Sequence, residues 1–145
     1  MKADDIMSVD VVAAKDNVTA VEIATRLVLE VFNGVPIIDD NGIVIGMVTT
    51  IDLLRAIRDD KNLENMLARD LMTKNPLVIT QDTKVEEIID IMDKKGIEMI
   101  PVVDKQVDRR LIGVVSRSDI LTEKMNERFV TIGRKRTVTT TLGES

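Results

Sequence analysis

Two hydrophobic rhythms alternate along this chain. Val85, Ile88, Ile89 and Met92 recur at i, i+3, i+4 and i+7, which gathers them on one face of a helix. Ala20, Ile23, Ala24 and Leu27 repeat that stripe earlier. Thr83 and Glu86 have capping-box spacing at the start of the later helix, and Gly96 suits its end. Continuous apolar runs at 35–38 and 99–103, each closed by an aspartate, read as strands buried on both faces. After the first run, Asp39-Asp40-Asn41-Gly42 supplies turn chemistry and residues 43–48 return as a strand. After the second, residues 105–110 are longer, charged and glycine-free, a looser loop. Pro36 and Pro101 lie inside their runs without an N–H to donate, which predicts edge strands or a bulge near a site. Short extended stretches at 9–13 and 77–79 precede the first helices, and second helices are expected at about 51–58 and 118–127.

The pattern occurs twice because the sequence does. A shift of 65 places superposes Ala3, Asp5 and Met7 on Ala68, Asp70 and Met72, then Ile23 on Ile88, Pro36 on Pro101 and Asp39 on Asp104. Two extra residues enter before Leu111, and a shift of 67 aligns Ile45, Gly46, Val48, Asp52 and Leu54 with Ile112, Gly113, Val115, Asp119 and Leu121. This is a tandem duplication. Each copy reads β-α-β-β-α: residues 1–60 and 70–128, joined by a linker at 61–69 and followed by a basic tail at 129–145. Neither half is large enough to bury a strong core alone, so the two are expected to pack face to face. Residues 137–141 read as a solvated or extended tail.

Composition narrows the function. There is no Trp or Tyr and there are only two Phe, so the core is aliphatic. The absence of Cys removes disulfides, a thiolate nucleophile and cysteine-ligated metal. The absence of His removes the commonest general base and transition-metal ligand. No nucleophile, metal cluster or phosphate-cradling glycine loop accompanies the acidic residues, so an enzyme is not expected. No apolar run approaches the ~20 residues of a membrane helix, and the N-terminus lacks a signal peptide's pattern; the expectation is a cytoplasmic protein. A net charge of -5 gives no general attraction to nucleic acid or anionic membranes. Arg134-Lys135-Arg136 is the local exception, read as a solvated tail. Nucleic-acid binding through it would be salt-sensitive and lost on removing residues 129–145.

The candidate chemistry lies in Gly46-Met47-Val48-Thr49-Thr50-Ile51-Asp52 and its second version, Gly113-Val114-Val115-Ser116-Arg117-Ser118-Asp119. Each has a glycine, a strand-like run, a hydroxyl residue and an aspartate three positions later. A carboxylate just past a strand can accept paired hydrogen bonds from a vicinal diol such as a ribose, each worth about 1.5–3 kcal/mol before desolvation. The alternative is that each aspartate caps the helix it opens.

These residues resemble a tandem pair of cystathionine-β-synthase (CBS) domains, a Bateman module, over about residues 1–128. The resemblance rests on Asp5-Ile6-Met7 and Asp70-Leu71-Met72, on Val35-Pro36-Ile37-Ile38-Asp39 and Ile100-Pro101-Val102-Val103-Asp104, and on the two Gly-x-x-(Ser/Thr)-x-x-Asp stretches. It implies an α/β (α+β) fold of two pseudo-twofold related β-α-β-β-α repeats packed through their sheets, with two clefts between them. It implies a regulatory, energy-sensing module with no catalytic cofactor, binding AMP, ADP, ATP or S-adenosylmethionine, forming homodimers and signalling to a protein partner in trans. Asp52 and Asp119 would hold ribose hydroxyls, Thr49 and Ser116 would lie near phosphate or ribose, and Met47 and Val114 would line the base pocket. Asp10 and Val12 would face Asp119, and Asn75 and Leu77 would face Asp52. Phosphate-binding members often carry a basic residue three positions before the middle proline; here stand Asn33 and Glu98. A carboxylate there would cost a phosphate about 1 kcal/mol at a partly solvated site, so the cleft bearing Glu98 is expected to prefer a cationic adenosine such as S-adenosylmethionine, unless Glu98 simply faces solvent. Without aromatic stacking, affinity is expected to be roughly micromolar. The competing reading is a structural or interaction module with vestigial clefts.

Overall fold

The computed structural model describes residues 1–30, 32–129 and 140–143. In chain order the elements are α1 (Ala3–Ile6), β1 (Val12–Ala14), α2 (Ala20–Glu30), β2 (Gly34–Ile38), β3 (Val44–Thr49), α3 (Thr50–Arg58) and α4 (Ala68–Leu71). They continue as β4 (Thr73–Lys74), β5 (Ile79–Thr80), α5 (Val85–Lys95), β6 (Met99–Val103), β7 (Leu111–Ser116), α6 (Arg117–Arg128) and β8 (Thr140–Leu142). The expected α/β class holds, with two separate sheets.

The chain divides into two compact units that do not follow the repeat boundary. Unit 1 comprises Met1–Val11 and Leu77–Thr139, and unit 2 comprises Val12–Pro76 and Thr140–Ser145. Each unit therefore takes its opening segment from the other repeat. The segment α1–Ser8, which begins repeat 1, packs with the strands of repeat 2. There Ser8 exchanges both backbone hydrogen bonds with Val114, at 2.9 Å each. The equivalent segment α4–β4 packs with the strands of repeat 1, pairing antiparallel with β3 as Met47↔Thr73 and Gly46↔Lys74.

In unit 2 the sheet order is β4-β3-β2-β1-β8. Its core holds Val35, Ile37 and Val48 from the sheet against Ala20, Ile23 and Leu27 from α2 and Leu53 from α3. Burying each large aliphatic side chain fully contributes about 1.5–3 kcal/mol. In unit 1 the order is β5-β6-β7, and Ile100, Val102 and Val115 pack against Val85, Ile88 and Met92 of α5 and Ile6 of α1. Ile89, expected on the buried stripe, is instead 44% exposed.

The structure bears on three local expectations. The prolines are not on edge strands: β2 and β6 lie between neighbours, and Pro36 and Pro101 are in register with Met47 and Val114. Each proline is tolerated because parallel pairing on its other side involves the following residue, Ile37 with Ala14 and Val102 with Ile79. The bulge alternative fits, since the register shifts between Ile37 and Ile38 and between Val102 and Val103.

The Thr83–Glu86 capping box does not form either. Lys84 is the N-cap of α5 without a side-chain bond, the Thr83 hydroxyl accepts from Thr80 N–H at 3.2 Å, and the Met1 carbonyl accepts from Val85 N–H at 3.0 Å. The opening segment has taken over the cap. At the equivalent place in unit 2, the Met66 and Leu63 carbonyls accept from Ala20 and Val21 N–H at 2.8 and 3.1 Å, so the connector satisfies donors that a helix start leaves unpaired.

Finally, of the two alternatives for the C-terminal stretch, solvated or extended, its described part is extended and partly buried. Thr140–Leu142 forms β8, parallel to β1, with Leu142 buried. The basic triplet Arg134-Lys135-Arg136 lies outside the described residues.

Candidate ligand-binding site

Both candidate aspartates sit at a strand-to-helix junction. β3 ends at Thr49, whose extended backbone makes it the N-cap of α3. Asp52 reaches back: its Oδ2 accepts from Thr49 N–H at 2.8 Å and from the Thr49 hydroxyl at 3.0 Å, while Asp52 N–H donates to Thr49 Oγ1 at 3.4 Å. This is a closed capping box. Among the described residues, Asp52 Oδ1 accepts no hydrogen bond. The carboxylate therefore caps the helix with one oxygen only. Thr49 has committed its only proton to Asp52, so its hydroxyl can act towards a ligand only as an acceptor.

Unit 1 repeats the junction with a difference. Ser116 is the N-cap of α6, Asp119 Oδ2 accepts from Ser116 N–H at 2.8 Å, and Asp119 N–H donates to Ser116 Oγ at 3.2 Å. The Ser116 hydroxyl lies 2.9 Å from that of Ser118.

The neighbours of each junction follow from strand register. In unit 2, the Asn33 carbonyl accepts from the N–H and hydroxyl of Thr50, at 2.9 and 3.2 Å. That holds exposed Asn33 beside the start of α3. Met47, buried, lies two residues upstream on β3. In unit 1, the Glu98 carbonyl accepts from Arg117 N–H at 3.1 Å, which puts exposed Glu98 at the matching place; Val114 is buried on β7.

The partners expected to complete each site separate. Asp10 falls in the unit of Asp119 and Asn75 in that of Asp52, whereas Val12 and Leu77 belong to the opposite units from those aspartates. Asn75 has a positive φ of 49°. Its N–H donates to the Ile45 carbonyl at 3.2 Å, four residues before Thr49 on β3. Val12 is buried in β1, and Leu77 is 38% exposed just before β5.

Two arrangements were not legible in the sequence. The motif glycines are the places where the swapped opening segments press on the strands. A Cβ on Gly46 would meet the Met72 side chain, and one on Gly113 would lie 2.8 Å from the Ser8 carbonyl and 3.0 Å from Met7 Sδ. Thus the Asp-x-Met and Gly motifs touch across the duplication. The Arg117 guanidinium donates to the Ile97 and Met92 carbonyls at 3.3 and 3.4 Å, where a cation at the C-terminus of α5 is favoured. It borders a hollow of about 330 Å3 with Ile89, Met92, Asp93 and Ile120. A second hollow of about 260 Å3 is lined by residues including Lys15, Asp39, Asp40 and Gly143. None of the sequence-predicted site residues lines either one. No helix among the described residues is long and apolar enough to cross a membrane.

With that geometry in hand, comparison with known proteins identifies the repeat. The family model for the CBS domain matches residues 3–59 and 68–126. An uncharacterized protein of Methanopyrus kandleri is 34% identical over 113 residues, covering 77% of this chain and 57% of that protein. The L-aspartate semialdehyde sulfurtransferase of Methanocaldococcus jannaschii is 31% identical over 116 residues, covering 80% of this chain and 22% of the enzyme. The chain thus spans between about a fifth and somewhat over half of these relatives. Among solved structures, a CBS domain pair in complex with 5′-methylthioadenosine and S-adenosyl-L-methionine superposes with a TM-score of 0.78 at 28% identity, covering 88% of this chain and 98% of that one.

Proposed function

This chain belongs to the CBS domain family, and from that premise we propose that it is a non-catalytic regulatory module that binds adenosine-containing ligands and signals to a protein partner in trans. The observation that carries the reading is the free Oδ1 of Asp52. It is an anionic acceptor held rigid by a capping box at a strand end, beside the buried apolar Met47. A ribose diol donating to that carboxylate makes charge-assisted bonds, and aliphatic side chains cover an adenine face without stacking it. In unit 1 the matching carboxylate is Asp119, fixed by the Ser116 N–H. Of the companion residues, Thr49 and Ser116 fix the carboxylates, Met47 and Val114 provide apolar surface, and Asn33, Glu98, Asp10 and Asn75, each in the unit of its aspartate, tune selectivity.

Glu98 favours a cationic adenosine over a phosphorylated one at the Asp119 junction, because a carboxylate repels phosphate and attracts a sulfonium. The complex of a similar domain pair with 5′-methylthioadenosine and S-adenosyl-L-methionine supports an adenosine-containing ligand. Homodimerisation belongs to the same proposal and is checked by light scattering with and without ligand.

A second reading has an observation of its own: both aspartates already serve as helix caps, which gives them a structural role without any ligand. Calorimetric titration with AMP, ATP and S-adenosylmethionine separates the two. Asp52→Asn and Asp119→Asn keep a cap acceptor while removing the anionic diol acceptor. Micromolar binding of one ligand to the wild type, weakened at least tenfold in one variant, is the expected outcome, with S-adenosylmethionine preferred to ATP at the Asp119-dependent site. Absence of heat from all three ligands leaves the scaffold reading.

A further inference from the structure

The two units treat the same sheet edge differently. In unit 1 the edge strand is β5, with no strand outside it among the described residues. The carbonyl of Val78, beside that edge, accepts a hydrogen bond from the Gln106 side chain at 3.2 Å. Gln106 stands in the loop that is two residues longer in repeat 2. A side chain thus blunts an edge whose unpaired backbone would otherwise invite another strand. Repeat 1 lacks that longer loop. Its Ala13, the residue matching Val78, is in register with Thr141 of β8 instead.

β8 has the features of a bound peptide. It belongs to unit 2, but everything from Leu77 through the end of α6 belongs to unit 1, so no unit 2 element adjoins it in sequence. What holds it is parallel pairing over three positions, a hydrogen bond of 3.0 Å from Lys15 N–H to the Leu142 carbonyl, and Leu142 itself, 9% exposed in the core with Val12, Ala14 and Val18. Gly143 ends the strand at φ +91°, where a Cβ would lie 2.6 Å from Val18 Cγ2. Both demands are specific, an aliphatic residue to fill the hollow and a glycine immediately after it.

We propose that the outer edge of β1 is a strand-acceptor site for an extended peptide carrying an aliphatic–glycine step, filled in cis by Thr140–Leu142 and open to the same segment in trans once the cis strand is released. Main-chain pairing provides the affinity and the leucine–glycine step provides the selection, as in recognition by strand addition. The acceptor is confined to unit 2, because the Gln106 loop covers the equivalent edge of unit 1.

The test uses the full chain and the synthetic hexapeptide of residues 140–145. In the wild type the Lys15 amide is protected from hydrogen exchange and labelled hexapeptide gives no anisotropy change. In full-length Leu142→Asp, Lys15 protection falls at least tenfold while β2 and β3 amides stay protected, and the hexapeptide then binds and restores it. A peptide with Gly143→Val does not. Full-length Gly143→Val is the second variant, expected to release the Lys15 amide in the same way. Unchanged Lys15 protection in both variants, or release without uptake of the hexapeptide at millimolar concentration, overturns the proposal. Loss of the whole fold in both variants also overturns it, because β8 would then be an integral strand and not a separable one.

Discussion

Asp52 caps α3 with one oxygen, the proposed function gives the other to a ligand, and substitutions separate the two roles. Asp52→Ala removes the acceptor for both the N–H and the hydroxyl of Thr49, which costs about 1 kcal/mol of stability as a lost cap. Asp52→Asn retains a carbonyl oxygen for the cap and is expected to cost less than half as much. Urea denaturation of the two variants measures the capping role, and ligand titration of Asp52→Asn measures the other. Equal stability loss in both would mean that the charge, not the hydrogen-bond geometry, holds the junction. The sequence shows the hydroxyl and the aspartate at the right spacing. It does not show that Thr49 spends its proton on the carboxylate while Ser116 turns towards Ser118, because hydroxyl rotors answer to neighbours within a few ångströms.

Among the elements, the helices were the most legible in the sequence and their surroundings the least. The stripes at 20–27 and 85–92 predict α2 and α5, and Gly96 ends α5 at φ 63°, since a left-handed cap position favours glycine. The helices α1 and α4 escape such reading because four residues carry no periodicity; they are held by buried Ala3 and Ala68 and by backbone bonds to distant loops. The contact of each opening segment with a strand crowds both motif glycines. At Gly113 an added methyl meets the backbone carbonyl of Ser8, which is itself paired with Val114, whereas at Gly46 it meets the Met72 side chain from its thioether down to Cγ at 2.8 Å and Cβ at 3.0 Å. Gly113→Ala and Gly46→Ala are therefore each expected to lower stability by about 1–3 kcal/mol as overpacking, the first against backbone and the second against a side-chain root. Urea midpoints compare the two directly.

For the whole molecule, the exchange of opening segments has a consequence that the duplication hides. Cutting the chain at the repeat boundary, into 1–60 and 61–145, removes α1 and Ser8 from unit 1 and removes α4 and β4 from unit 2. Each fragment then loses strand pairing and buried alanines that its core requires. Neither is expected to give a dispersed amide NMR spectrum alone, and mixing them at equal concentration restores one. A native-like spectrum from either fragment by itself would show that the exchanged segment is dispensable.

What the amino-acid sequence determined by itself was the duplication, the central β-α-β-β-α order of each repeat, the aliphatic core and the paired hydroxyl–aspartate spacing. Periodicity, turn residues and caps are properties of neighbours within a few positions, and a repeated offset needs no coordinates to be seen. What only the tertiary structure decided was which segment completes which unit, why Pro36 and Pro101 sit in interior strands, why Thr83 is not a cap, and where the C-terminal strand docks. Those outcomes depend on backbone donors and acceptors finding partners far along the chain, such as Val85 with Met1, Ala20 with Met66 and Lys15 with Leu142. Such pairings leave no periodic trace in the sequence, because backbone groups are the same at nearly every residue and the fold alone chooses which of them meet.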